Sequence, residues 1–227
     1  IIKYNNMKKI LLFAFIAVSY YDVNAQNTID NYTTSTNTFT EIGGAAQGIN
    51  KPHDLDFVPG RPSECWILNK EANGASVVLF FNTGKSNQTH QFRRDSHNEH
   101  FMARSVAMAF GDNDYFVSAQ EIKSTASASS TFMGPALWSS DTTIFARMHQ
   151  NNWVSGQLLG SHIDMLHQSP YGMGVAHDNA NVYWYFDGHN SNICKYDFAT
   201  PHGIGEDDHA DGRIHRYTDV TVTRKPN

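Results

Sequence analysis

Side chains able to do chemistry crowd most closely in Asp207-x-His209-x-Asp211-Gly212, where acids and an imidazole alternate ahead of a glycine. Alternate-residue spacing lets a tight loop turn several oxygens onto one hard cation, and the glycine permits the sharp turn. Asp207, His209 and Asp211 therefore form a candidate calcium loop. It departs from an EF-hand in two ways: His209 stands where oxygen is preferred, and Thr218 occupies the place of the closing bidentate Glu. The competing reading is a solvated turn from which Asp211-Gly212 launches a strand.

The chain has 12 histidines, and in sequence they are scattered. His90, His97 and His100 can form a polar loop cluster, with a metal as one use for it. His162 and His167 flank Ile163-Asp164-Met165-Leu166, and strand alternation would place them on opposite faces, which argues against a shared ion. His177-Asp178 reads as a turn. Gly-x-Ser-x-Gly and His-Glu-x-x-His are both absent from the sequence. The segment Ile122 to Ser140 reads as an insertion between strands, and its aromatic residues Phe132 and Trp138 make it a candidate binding loop. Anchoring beneath the loop is the alternative role for them.

The elements that must position these residues are short strands separated by turn signals. Three units open in a similar way, at Pro52, Arg104 and Tyr171. The first runs Lys51 to Phe57, turns at Pro59-Gly60, runs Cys65 to Asn69, turns at Asn73-Gly74 and runs Ser76 to Asn82. The second runs Arg104 to Phe110 and Asp114 to Gln120, then resumes at Thr142 to Arg147 and Gly160 to His167. The third runs Tyr171 to His177, Val182 to Asp187 and Asn192 to Phe198, with Arg213 to Tyr217 as its outer strand. Asn-Gly and Asp-Asn corners suit the positive φ of hairpin turns. Continuous apolar runs such as Val77 to Phe81 and Val182 to Phe186 predict sheets buried on both faces. One four-stranded antiparallel sheet per repeat is the signature of a propeller blade. The expectation is an all-β fold: a β-propeller with about three blades present (about 50–103, 104–169 and 170–223), half of a six-bladed ring and hence a fragment.

Ahead of these units, Met7-Lys8-Lys9, the apolar run Ile10 to Val18 and Val23-Asn24-Ala25 have the layout of a secretory signal peptide. Residues 1–25 are set aside from the fold, and 26–48 read as a flexible leader. The expected location is secreted, periplasmic or extracellular, with no transmembrane segment after the signal peptide. Cys65 and Cys194 lie within strand-like runs and read as buried free thiols, with a disulfide permitted by export. A formal net charge of −5 and the lack of a basic stripe argue against nucleic acid as a partner.

"KPHDLDFVPGRPSECWILNKE…GASVVLFFNTG" resembles an NHL-type propeller repeat: a Pro-led first strand, a Pro-Gly turn, an aromatic–aliphatic second strand and a third strand ending in Phe-Asn. "YGMGVAHDNANVYWYFDGHNSNICKYDF" is similar, with Asp187 and Asn192-Ile193 where such repeats carry an acid and a short apolar turn. The resemblance spans roughly Asn50 to Tyr217 and implies either a binding platform or an enzyme of lyase or hydrolase type with a metal in the central channel. Under the enzyme reading His53 would be a channel ligand, of zinc in the lyases, with Ser105 and Met173 at the corresponding positions of the other units. The functional expectation is an exported propeller that acts as a binding scaffold for a protein, peptide or small extracellular ligand. The metal-dependent enzyme is the alternative, and calcium or zinc is the implied cofactor.

Overall fold

The computed structural model describes residues 40–123, 133–147 and 158–224. The expected signal segment, most of the leader and Phe132 lie outside them. The described residues from Ile42 onward form one compact unit. It is all-β, built from three four-stranded antiparallel sheets whose strands follow chain order.

Sheet one contains β1 (Pro52–Phe57), β2 (Cys65–Glu71), β3 (Gly74–Phe81) and β4 (Thr89–Arg93). A single turn of helix, α1 (Asn98–Phe101), leads to sheet two: β5 (Ser105–Phe110), β6 (Tyr115–Gln120), β7 (Ala136–Ser139) and β8 (His162–Met165). Sheet three contains β9 (Gly172–Asn179), β10 (Val182–Asp187), β11 (Asn192–Asp197) and β12 (Arg213–Thr221). The first strands lie together, β1 against β5 and β5 against β9. Apolar layers fill the spaces between sheets. Trp66, Leu68, Val77 and Leu79 meet Phe110, Phe116, Trp138 and Phe145 in one layer. Val117, Leu137 and Ile163 meet Tyr183, Tyr185, Tyr196 and Phe198 in the next.

Below the level of the strands, the three sheets repeat one backbone device. The residue before each first strand is left-handed and is not glycine: Lys51 (φ 54), Arg104 (φ 51) and Tyr171 (φ 61). Its carbonyl accepts a hydrogen bond from the end of the neighbouring strand or just beyond: Lys70 N at 3.1 Å, Glu121 N at 3.2 Å and Gly188 N at 3.1 Å. Each first strand then carries one extra residue near its start. That residue is His53 in β1 and Val106 in β5, and it lies between Gly172 and Val175 in β9. The position matching His53 in sheet two is thus Val106, one residue beyond the expected Ser105, because the bulge sets the alignment.

Three expectations are corrected. The stretch Thr142 to Arg147 is a turn that buries Phe145, and the third strand of sheet two is β7, inside the presumed insertion. Trp138 is consequently a fully buried strand residue and no part of an exposed binding loop; its indole N–H donates to Ser118 Oγ at 3.0 Å. A four-residue strand flanked by Gly134-Pro135 has too little pattern to stand out from a loop. Sheet three is also not buried on both faces, since burial alternates along β10 and β11. Tyr183, Tyr185, Cys194 and Tyr196 face sheet two, while Trp184, Phe186 and Ile193 are half-buried. Finally, the end of the presumed leader carries a 3₁₀ turn at Ala45–Gln47, and Ile49, just past it, packs on Cys65, Ile67, Val78 and Phe80. Cys65 and Cys194 are buried free thiols.

Candidate metal centre

β8 is the last strand of its sheet, so its outer backbone groups need partners from elsewhere. The connection from β11 to β12 supplies them. His202 N donates to Ile163 O at 3.0 Å, Gly205 N to His162 O at 2.8 Å, and Leu159 N to Gly205 O at 2.7 Å. The connection thus runs along the edge of β8 and carries His202 and His209 to His162. Gly205 is left-handed (φ 72), and a Cβ there would press on the Gly160 carbonyl. A second anchor fixes the start of β8: Asp95 Oδ2 accepts from Ser161 N at 2.8 Å and from Ser161 Oγ at 2.7 Å, while Asp95 Oδ1 accepts from His97 N at 2.9 Å.

These contacts gather three imidazoles. One ring nitrogen from each of His162, His202 and His209 lies within 4.8 Å of the other two. His162 is fully buried, stacked on Phe101 at 3.5 Å between ring centroids and edge-on to Trp138 at 6.3 Å. The tautomers follow from the neighbours. His162 Nδ1 sits 2.8 Å from Leu159 O, and His202 Nδ1 sits 2.6 Å from Gly203 O. A carbonyl can only accept, so both Nδ1 atoms carry the proton and both Nε2 lone pairs are left for a ligand. The Nε2 atoms of all three rings are buried without a hydrogen-bond partner. Orienting a ligand histidine through a carbonyl on its other nitrogen is the usual outer support of a metal site.

Burial favours the neutral form of His162 and His209. Burial, with the neighbouring His202 and His209, lowers His162 to about 2, and burial with His202 and His167 lowers His209 to about 4. His100 falls to about 4, first through burial and then through His167, His209 and His97. Neutral imidazoles at pH 7 have no proton to displace. A tetrahedral zinc with bonds of about 2.0–2.1 Å needs ligand nitrogens roughly 3.4 Å apart, within the 4.8 Å that bounds this set. Three imidazoles suit zinc, copper or nickel and poorly suit calcium, which takes oxygen ligands. The residues present therefore fit a borderline divalent ion.

The sequence-derived candidates are placed as follows. His209 leaves the carboxylate series and joins the imidazoles, so Asp207, His209 and Asp211 do not converge on one ion. Asp211 Oδ2 accepts from Thr200 N at 3.1 Å, and Asp207 is exposed. His53 is exposed on the β1 bulge and belongs to no three-ligand group among the described residues. His90 is exposed and apart, whereas His97 is fully buried beside α1 and His100 lies 6.4 Å from His167. His167 in turn lies 5.6 Å from His209, so His162 and His167 approach the same partner ring. Asp164, fully buried with Oδ2 unpartnered, is pushed up to about 7 by burial, with Asp211 and Asp208 adding to the effect. His202 had drawn no attention in sequence. The only signal was its setting, Pro201-His202-Gly203 with His209 seven residues on in a glycine-rich connection.

A cavity of about 420 Å³ opens beside His202, bounded by Glu206, Asp208 and Asp211. Comparisons with protein-family models, with curated proteins and with solved structures find no match to this chain.

Proposed function

We propose that this chain is an exported NHL-like β-propeller scaffold, of which the three sheets are consecutive blades, and that it binds a zinc-class divalent ion through His162, His202 and His209. The single observation that carries the metal reading is the set of three buried, unpartnered Nε2 atoms brought together by β8 and the β11–β12 connection. The propeller reading is supported by the adjacent first strands and by the left-handed residue and bulge repeated at each of them. The centre lies at the last strand of sheet two, away from His53. The metal-dependent alternative drawn from the family resemblance is therefore moved to a different place in the fold. An ion with three imidazole ligands keeps a fourth position for water or a ligand atom and acts as a Lewis acid.

Elemental analysis of the purified full chain after dialysis tests this. The expected result is one zinc-class ion per chain, lost in His162→Ala and His202→Ala and retained in His53→Ala. A folded chain without stoichiometric metal sinks the proposal, and loss of metal on changing His53 alone would return the site to the channel.

A further inference from the structure

We infer that this chain pairs with a second copy of itself, head to tail, the open face of sheet three on each copy meeting the open face of sheet one on the other. This rests on the propeller reading above: six sheets then close one ring, within the four to eight usual for propellers.

The repeated backbone device gives each face its direction. Lys70, Glu121 and Gly188 donate to the residue before the first strand of their own sheet, so they occupy equivalent positions. Four residues earlier stand Trp66, Val117 and Trp184, and two residues earlier stand Leu68, Ala119 and Phe186. In sheet one this pair enters the layer shared with sheet two, where Trp66 meets Phe110, Phe116 and Phe145 at 5.4, 5.2 and 5.2 Å between ring centroids. In sheet two the pair enters the layer shared with sheet three. In sheet three, Trp184 and Phe186 are half-buried and join none of the apolar layers among the described residues. Sheet three thus repeats, Trp for Trp, the face with which sheet one receives its neighbour.

Sheet one carries the complementary face. Five residues before the same marker positions stand Cys65, Phe116 and Tyr183, and the last two turn toward the preceding sheet. Phe57 pairs with Cys65, Leu55 with Ile67 and Phe92 with Val78, so all three share the face of Cys65. Six large apolar side chains are exposed among the described residues. Three lie on sheet one (Leu55, Phe57, Phe92), two on sheet three (Met173, Val220) and none on sheet two, which already has a neighbour on each side. Exposed apolar surface gathered in this way marks a contact face. Ile49 covers the part of the sheet-one face built by β2 and β3, whereas Leu55 and Phe57 on β1 stay bare. First strands are where neighbouring sheets meet within the chain, so an incoming sheet three reaches those bare side chains first. Sheets that fan out from an axis diverge toward their outer strands, which leaves room for the segment bearing Ile49. The two faces differ, and a head-to-tail contact made at both seams closes after two copies.

Sedimentation equilibrium of the full chain tests the pairing, in wild type, in Leu55→Ala with Phe57→Ala, and in Trp184→Ala. The expected result is a discrete dimer of the wild-type chain, with the dissociation constant raised about thirtyfold or more in each variant. All three side chains lie outside the buried layers, so both variants keep the wild-type circular dichroism and a cooperative urea transition. A folded wild-type monomer overturns the pairing and leaves the propeller reading standing. Dimer loss in only one of the two variants means that one face pairs with itself, which overturns the pairing and counts against the propeller reading as well. A dimer indifferent to both variants uses another surface and overturns the pairing. Species that grow beyond the dimer with concentration show a contact that does not close, and overturn the closed pair.

Discussion

His162 shows what the arrangement costs. A buried imidazole nitrogen without a partner destabilises a fold by about 1–3 kcal/mol, and three such nitrogens stand together here. An ion that satisfies them stabilises the folded chain by mass action, about 2.7 kcal/mol at a hundredfold excess over Kd. Calorimetry should therefore show a melting temperature that climbs with added zinc in wild type. In His162→Phe, which keeps the ring against Phe101, that climb should vanish while the metal-free melting temperature stays close to wild type. A zinc-dependent climb in His162→Phe would contradict the assignment. At this scale the sequence was least informative. His162 stands far in the chain from His202 and His209, and their meeting depends on a loop pairing with a strand of a different sheet. No local pattern encodes that. His209 was legible as a ligand type, but its neighbours Asp207 and Asp211 suggested partners other than His162 and His202.

Among the elements, the hairpins were legible because their corners carry residues that tolerate positive φ, such as Asn73-Gly74 and Asp112-Asn113. β1, β2, β5, β6, β10 and β11 follow from those corners and the apolar runs between them. β7 was missed because four residues cannot establish a period; its pairing with β6, with Trp138 opposite Phe116, is a non-local feature. The element on which the site turns is the β11–β12 connection, and Gly205 is its tightest point. Gly205→Ala meets both an unfavourable left-handed backbone and the Gly160 carbonyl, for a loss of about 1–3 kcal/mol. Urea denaturation should register that loss, and zinc affinity should fall with it. Gly203→Ala is the control: its Cβ meets only the flexible end of Glu206, so stability should change little. Equal behaviour of the two variants would argue that the connection is not held to β8 as described.

For the whole molecule, the three sheets are joined by buried charge as well as by apolar layers. Glu121, just beyond β6, is ion-paired to Lys70 of β2 and, at 3.0 Å, to Arg224 beyond β12. Burial works against its ionisation, yet the bonds from Lys70 and Arg224 outweigh that and hold its carboxyl below the ordinary 4.5. A carboxyl depressed in the folded state stabilises above its unfolded value, and this contribution is lost as pH falls through the folded value. Stability should therefore drop on acidification below about pH 4.5. In Glu121→Gln the urea midpoint should be lower at pH 7, by about 2–3 kcal/mol in stability, with a shallower acid decline. An acid decline as steep as that of wild type would show that Glu121 is not the group responsible.

The pairing of the β11–β12 connection with the edge of β8 has one more consequence. A bare strand edge offers its backbone to any other chain, and proteins suppress such edges by covering them. Here the cover also bears two of the three imidazoles proposed to hold an ion. Scarcity of metal would therefore loosen the same segment that keeps neighbouring molecules from adding strands. On the proposed metal reading, solubility and metal supply are tied through one stretch of backbone, so metal starvation would surface as self-association.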